Sequence, residues 1–391
     1  MDVVVFGGGY AGVTLTRNLE RSLPADVGVT IVDETGIHLL QHELHRAIRR
    51  PAIAEAIQVP LSEIFDRATV RTGYVESIDT ANRRAQLADD STIEYDLGAI
   101  CLGARTADYG IDGVLEHGHP LKRLEHAARI RDRFLALLAA AEDDGVRDGS
   151  VDSRRVVIGG GGLSGIQIAG ELAALAAEEG SRAAIDITIV EMQGSVAPNL
   201  PVTFQEAVRE ELEARDVTIE TDTTVQAVDS VTVRTDRGEF DYDLFVWAGG
   251  ITGSDAMGGD RPIVRGDLRL HQSTFVLGDA ARAIDTDGEA VPASASAAIR
   301  EAETVAENLT ALVEHRLEGD PEAFEPRMVP YRFEVPGWIV SIGDGAVAQV
   351  GPTVLTGRPA TAIKATVGAG YLGSVRAIRQ AAKLVESELQ G

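Results

Sequence analysis

Two glycine-rich loops of one design, VVVFGGGYAG at residues 3–12 and VVIGGGGLSGIQIAG at 156–170, each stand between a β-branched run and an apolar-periodic one. After each comes a second strand-like run that ends in an acid, VGVTIVDE and IDITIVE. Strand, glycine turn, helix and strand make a βαβ unit, and the unit occurs twice. These observations predict an α/β fold with two Rossmann-like dinucleotide-binding domains.

The 391-residue chain is long enough for two or three domains. Its 44% apolar and 25% charged content is that of a globular protein. No stretch reaches the roughly 18–20 unbroken apolar residues of a membrane span. A strand beginning at Asp2, with no basic segment before it, points to the cytoplasm. The formal charge of −25 argues against nucleic-acid binding. Lysine is confined to Lys122, Lys364 and Lys383, and so acidic a surface fits a high-salt cytosol. A single cysteine, Cys101, excludes an internal disulfide and a redox-active Cys pair, and its apolar strand marks it as inert and buried.

Each element has its own signal. In the first loop Gly7 permits the tight turn, Gly9 lets backbone approach a pyrophosphate, and Gly12 lets helix and strand close up. Tyr10 and Ala11 complete that cradle, and Asp33, with Glu34 beside it, ends the next strand where a ribose hydroxyl would be bound. Runs 68–80 and 83–104 read as an antiparallel insert returning to the sheet. Residues 121–144 read as a helix and 145–153 as a polar link. The second cradle repeats the pattern with Gly160, Gly162 and Gly165 around Leu163 and Ser164, and Glu191 ends its second strand. A carboxylate there favours a free 2'-hydroxyl, hence NADH over NADPH. Strand-like runs follow at 216–235, 240–250 and 274–281, then a helix over 292–317. Strand-like pieces from Tyr331 lead to a last helix over 371–389. Two cradles imply two dinucleotides, the arrangement that hydride transfer between a nicotinamide and a flavin requires.

Taken in order, these motifs resemble the two-dinucleotide flavoproteins of the pyridine nucleotide-disulfide oxidoreductase superfamily, and most of all the type II NADH dehydrogenases. The resemblance covers nearly the whole chain and implies FAD in the first cradle and NADH in the second. It places the inner domain within the outer: 1–118 and 253–330 for FAD, 119–252 for NADH, and 331–391 as the C-terminal region. YDLGAICLGA, ending near Gly103, is similar to the run that closes the first FAD segment, with Cys-Leu-Gly where Ala-Thr-Gly is usual. VWAGGI, with Gly249, resembles the close of the NADH domain. TFVLGDAA resembles the second FAD motif, in which Gly278 and Asp279 would meet the ribityl chain, and Val75 takes the adenine position.

The resemblance further implies a quinone acceptor, taking electrons after hydride transfer to the flavin. PASASAAIREAE aligns with an Ala-Gln-x-Ala segment beside the flavin, so Ala295 is kept and Ser296 replaces Gln. Gln167 replaces a Glu, and an amide cannot shuttle protons, whereas Glu171 is kept. His42 replaces a proline in the flavin-side segment. Ser296, Gln167, Glu171 and His42 are therefore the candidate catalytic positions. His38, His42 and His45 could share a helical face and line the flavin; no further cluster supports a metal. In the last helix Tyr371, Val375, Ile378, Ala382, Val385 and Leu389 form an apolar stripe edged by Arg376, Arg379 and Lys383. Such a stripe packs on the body, forms a homodimer contact, or rests on the inner face of the membrane. Two other functions stay open: NADH-dependent reduction of a small iron–sulfur protein, and NADH sensing without catalysis.

Overall fold

The computed structural model describes residues 1–148, 153–319, 324–335 and 337–389. The chain opens with β1 (Asp2–Phe6), α1 (Tyr10–Ser22), β2 (Gly28–Asp33), the short helix α2 (Arg46–Arg49), β3 (Thr69–Thr72) and β4 (Leu97–Ile100). Val3 to Phe6 are at most 2% exposed, as expected of a parallel strand covered on both faces. Between β3 and β4 lies the antiparallel insert, strands Val75–Asp79, Arg84–Leu87 and Thr92–Glu94.

Helix α3 (Leu124–Asp148) leads inward. It carries 145–148 as helix where a link was expected, and 149–152 lie outside the described residues. The inner domain is β5 (Arg154–Gly159), α4 (Leu163–Glu178), β6 (Ile185–Val190), β7 (Val217–Glu220) and β8 (Leu244–Trp247). Its sheet, ordered β7-β6-β5-β8, is parallel throughout.

The chain then returns with β9 (Arg269–His271), β10 (Thr274–Val276) and α5 (Ala295–Glu318). β10 pairs in parallel with β4, completing a six-stranded sheet ordered β9-β10-β4-β1-β2-β3. The inner sheet is thus inserted between two parts of the outer one. A three-stranded antiparallel sheet, β11 (Gly337–Ile342), β12 (Gly345–Val350) and β13 (Thr353–Thr356), precedes α6 (Gly357–Ser374) and α7 (Ile378–Leu389). The β11–β12 turn packs directly on α4: a Cβ at Gly170 would lie 2.6 Å from the Gly343 nitrogen.

The last helix is two helices. Arg376 takes a left-handed φ of +63° and breaks it, which shifts the buried face. Tyr371 and Val375 of the expected stripe lie against the body, but Ile378 is 73% exposed and Ala382 is exposed. Ala377 and Leu384 take their places inside, and the Leu389 side chain lies outside the described residues. The basic edge is neutralised in part, since Arg376 pairs with Asp66 at 2.6 Å and Lys383 with Glu55. No helix among the described residues is long and apolar enough to cross a membrane.

Candidate active site

The two cradles match atom for atom. Gly7 and Gly160 have φ of +109° and +108°, and their N–H groups donate to Val32 and Val190 at 2.7 and 2.8 Å. A Cβ on Gly12 would sit 1.8 Å from the Gly7 oxygen, and one on Gly165 1.9 Å from the Gly160 oxygen. On Gly9 or Gly162 it would meet nothing within 4 Å. The middle glycines therefore face open space where a diphosphate can reach backbone, while the outer ones are locked by packing. The first intrahelical bonds run from Val13 to Gly9 and from Ile166 to Gly162. The N–H groups of Tyr10, Ala11 and Gly12, and of Leu163, Ser164 and Gly165, thus begin their helices without an intrahelical acceptor. Both loops fit a dinucleotide.

The terminal acids have a structural task that spacing did not reveal. Asp33 Oδ2 accepts the Gly8 N–H at 2.8 Å, and Oδ1 accepts Thr35 and Gly36. Glu191 Oε2 accepts Gly161 at 2.6 Å, and Oε1 accepts Gln193 at 2.8 Å. Each carboxylate straps its own glycine loop while keeping lone pairs for a ribose hydroxyl. Glu34 instead points outward, paired with Arg123 at 2.8 Å. Val75 is buried at the start of its strand, beyond Gly73, whose N–H donates to the Asp33 carbonyl. Gly103 has a φ of +66°. Gly249 lies against the Trp247 ring, where a Cβ would come within 2.2 Å.

The second FAD-type motif packs onto the first cradle: a Cβ on Gly278 would meet the Ala11 and Ala298 Cβ atoms at 3.2 and 3.4 Å. Arg261 donates to the carbonyls of Asp279 and Ala281, fixing the turn. The Gly278 N–H donates to Glu301 Oε2 at 2.5 Å. Burial pushes that carboxyl up to about 7. Helix α5 starts at Ala295, capped by Ser294, whose Oγ accepts the Ala297 N–H at 3.1 Å. Ser296 is half-buried in its first turn.

The three histidines do not share a helical face. His38 is on a short strand (Ile37–Leu39), His42 in a tight turn, and His45 at the head of α2. His38 and His42 converge on Tyr10: the Tyr10 hydroxyl bonds His42 Nδ1, and its ring packs edge-on to those of His38 and Tyr371. His38 Nδ1 faces the Gly8 carbonyl at 2.9 Å, and Nε2 bonds the Tyr371 hydroxyl at 2.9 Å. Burial lowers His38 to about 4 and holds it neutral. His45 turns away to Ser341 at 2.7 Å. Among the described residues no cluster of His, Cys, Asp or Glu is placed to hold a metal ion.

Glu171 and Gln167 share a face of α4, one turn apart. Gln167 is half-buried. Glu171 is 1% exposed, and its Oε2 takes the Arg49 Nε at 2.7 Å. Arg49 also reaches Glu178 at 2.8 Å and Asp344 at 2.6 Å. One guanidinium on α2 thereby ties the outer domain to α4 and to the β11–β12 turn. Burial raises the Glu171 carboxyl despite Arg49. Cys101 is buried, and its thiol is pushed far up by burial and then by Glu301. Tyr371, Lys364, Arg49, Arg261 and Glu301 were not singled out for the site in the sequence. They reach it from distant segments, and only the Ser294 cap had a local signal.

Two equivalent nucleotide cradles, each following a strand that pairs in parallel on both sides, in a chain with one cysteine, define a two-dinucleotide oxidoreductase. The model of the pyridine nucleotide-disulphide oxidoreductase family matches residues 1–302. The chain belongs to that family. The type II NADH:quinone oxidoreductase of Staphylococcus epidermidis is 26% identical over 337 residues, covering 80% of this chain and 82% of that one. That of Haemophilus influenzae is 26% identical over 361 residues, with 81% of each covered. The structure of NDH2 from Plasmodium falciparum in complex with NADH superposes with a TM-score of 0.81 over 98% of this chain and 97% of that one, at 14% identity.

Proposed function

We propose that the protein is an FAD-dependent NADH dehydrogenase that passes electrons from NADH to a quinone. The duplicated cradle carries the reading: Gly7, Gly9 and Gly12 would hold FAD, and Gly160, Gly162 and Gly165 would hold NADH. Bound FAD supplies the hydride acceptor and the electron donor. The protein's part is positioning: Arg261 and Glu301 fix the Gly278–Asp279 turn, and Arg49 holds the two domains together. With one cysteine, electrons have no dithiol to visit. The names of the bacterial relatives support a quinone as the acceptor.

Anaerobic rapid mixing tests this. NADH should bleach the bound flavin, and a water-soluble menaquinone analogue should restore its colour. No bleaching refutes the dehydrogenase. Recovery with ferricyanide but with no quinone refutes the acceptor, and recovery with a ferredoxin alone transfers the assignment to an iron–sulfur partner.

The reading extends to peripheral attachment at the inner face of the cell membrane through the C-terminal helices, where Val367 and Ile378 are 55% and 73% exposed. Flotation with anionic vesicles checks it, and Ile378→Glu should abolish flotation. A dimer instead would appear in light scattering as a doubled mass. The net charge of −25 supports a high-salt cytosol, in which added KCl should raise the unfolding temperature.

A further inference from the structure

The two cradles differ in what holds one carbonyl. Gly8 and Gly161 each precede a middle glycine, and each is bonded at both its N–H and its C=O. The Gly8 N–H donates to Asp33 and the Gly161 N–H to Glu191. The Gly161 carbonyl then accepts the backbone N–H of Ala197 at 2.8 Å, from within the inner domain. The Gly8 carbonyl instead meets a side chain, His38 Nδ1 at 2.9 Å. His38 is 0% exposed, and its Nε2 meets the Tyr371 hydroxyl of α6 at 2.9 Å, 333 positions along the chain. The first cradle is thus linked to the C-terminal region, whereas the second is closed by its own domain.

The partners fix the direction of each bond. A carbonyl only accepts, so His38 Nδ1 carries the proton. Burial holds the ring neutral, so Nε2 offers a lone pair and the Tyr371 hydroxyl donates to it. In a trans peptide the C=O and the following N–H point in opposite directions. Pinning the Gly8 carbonyl toward His38 therefore aims the Gly9 N–H away from it. Gly9 is the N-cap of α1, and its N–H is one of the donors that a diphosphate at this helix head would meet.

Resting on FAD in the first cradle, we propose that His38 and Tyr371 are positioning residues of that cradle, through which FAD binding and the seating of α6 are coupled, while the NADH cradle is independent of α6. With α6 seated, the Tyr371 hydroxyl orients His38, His38 fixes the Gly8 carbonyl, and the Gly9 N–H is set before the diphosphate arrives. The coupling is reciprocal: the factor by which seated α6 tightens FAD is the factor by which FAD steadies α6. Removing the hydroxyl leaves a buried ring nitrogen unpaired, which puts that factor at about tenfold. Other contacts keep α6 on the body without FAD: Lys364 lies 3.3 Å from Glu43, and the Tyr371 ring packs on that of Tyr10 at 4.9 Å. FAD therefore changes how often α6 opens, and with it the surface that carries Val367, 55% exposed.

The test strips the flavin from the purified protein, returns it by fluorescence titration, and follows hydrogen–deuterium exchange over 357–374 with and without it. FAD should slow exchange there about tenfold, and NAD⁺, which does not reduce the flavin, should slow it no further. Tyr371→Phe keeps the ring and loses the hydroxyl. It should weaken FAD about tenfold, abolish the effect of FAD on α6, and leave the NAD⁺ affinity of the FAD-saturated protein unchanged. His38→Asn keeps an amide donor near the Nδ1 position and has nothing at Nε2, so adding Tyr371→Phe to it should weaken FAD no further. Losses that add in the double variant, a Tyr371→Phe protein with wild-type FAD affinity, or a wild-type α6 that exchanges equally fast with and without bound FAD overturns the coupling. A wild-type protein that takes up no FAD overturns the cofactor assignment of the first cradle, and the coupling with it.

Discussion

Replacing the middle glycine of each cradle by valine should separate the two cofactors. At Gly9 and Gly162 the new side chain meets no protein atom within 4 Å of its Cβ, so the chain should fold. It fills the space through which a diphosphate reaches the helix N-terminus. Two charge-assisted hydrogen bonds to backbone N–H groups are lost, each contributing about 1.5–3 kcal/mol, or about 3–6 kcal/mol together. That is a roughly 10²–10⁴-fold weaker complex. Gly9→Val should purify colourless. Gly162→Val should purify yellow yet fail to bleach with NADH, its NADH affinity measured by fluorescence titration. Gly12→Ala and Gly165→Ala provide the contrast, since a Cβ 1.8 or 1.9 Å from a carbonyl oxygen cannot be accommodated, and both should lose folded protein. A fully yellow Gly9→Val protein, or a Gly162→Val protein that binds NADH normally, refutes the assignment of the cradles.

Three further outcomes follow from the site. Cys101 should be silent to a thiol reagent in the native protein and react as one thiol after denaturation; labelling of the folded chain refutes its burial. Arg49→Met leaves Glu171 buried without its partner and should cost about 3–5 kcal/mol in chemical unfolding, while a loss below about 1 kcal/mol would show that the clamp does not hold the domains. His38 titrates at about 4 when folded and near 6.5 when unfolded, so the unfolded chain binds more protons between those values and stability falls as pH drops through that window. The His38 share is roughly 3 kcal/mol, complete above pH 6.5. His38→Gln should flatten the slope of unfolding free energy between pH 6.5 and 4; an unchanged slope refutes it.

What could be read from the sequence was what depends on near neighbours. Gly7, Gly9 and Gly12 announce a cradle because the turn, the open face and the tight crossing lie within six residues, and Gly160, Gly162 and Gly165 repeat it. Cys101 was placed correctly because a lone cysteine in an apolar strand has one ordinary fate. The site around the cradles depends on distant segments, and spacing does not encode that. Arg49 meets Glu171 across 122 positions and Asp344 across 295. Tyr371 reaches His38 across 333. The three histidines suited a helix by spacing, but a strand and a tight turn point them in different directions. The last helix failed as one unit because Arg376 carries no glycine to mark its left-handed turn.

The order in which the outer sheet is completed bears on synthesis. β4 receives its partner β10 only when residues 274–276 have left the ribosome, long after β1, β2 and β4. At about 5–20 residues per second, that interval is roughly 10–40 s. The inner sheet, built from one continuous stretch, can form during the wait. The nascent chain can therefore carry a finished inner sheet before the outer one closes, with the apolar edge of β4 exposed meanwhile. Chaperone demand should concentrate in that window.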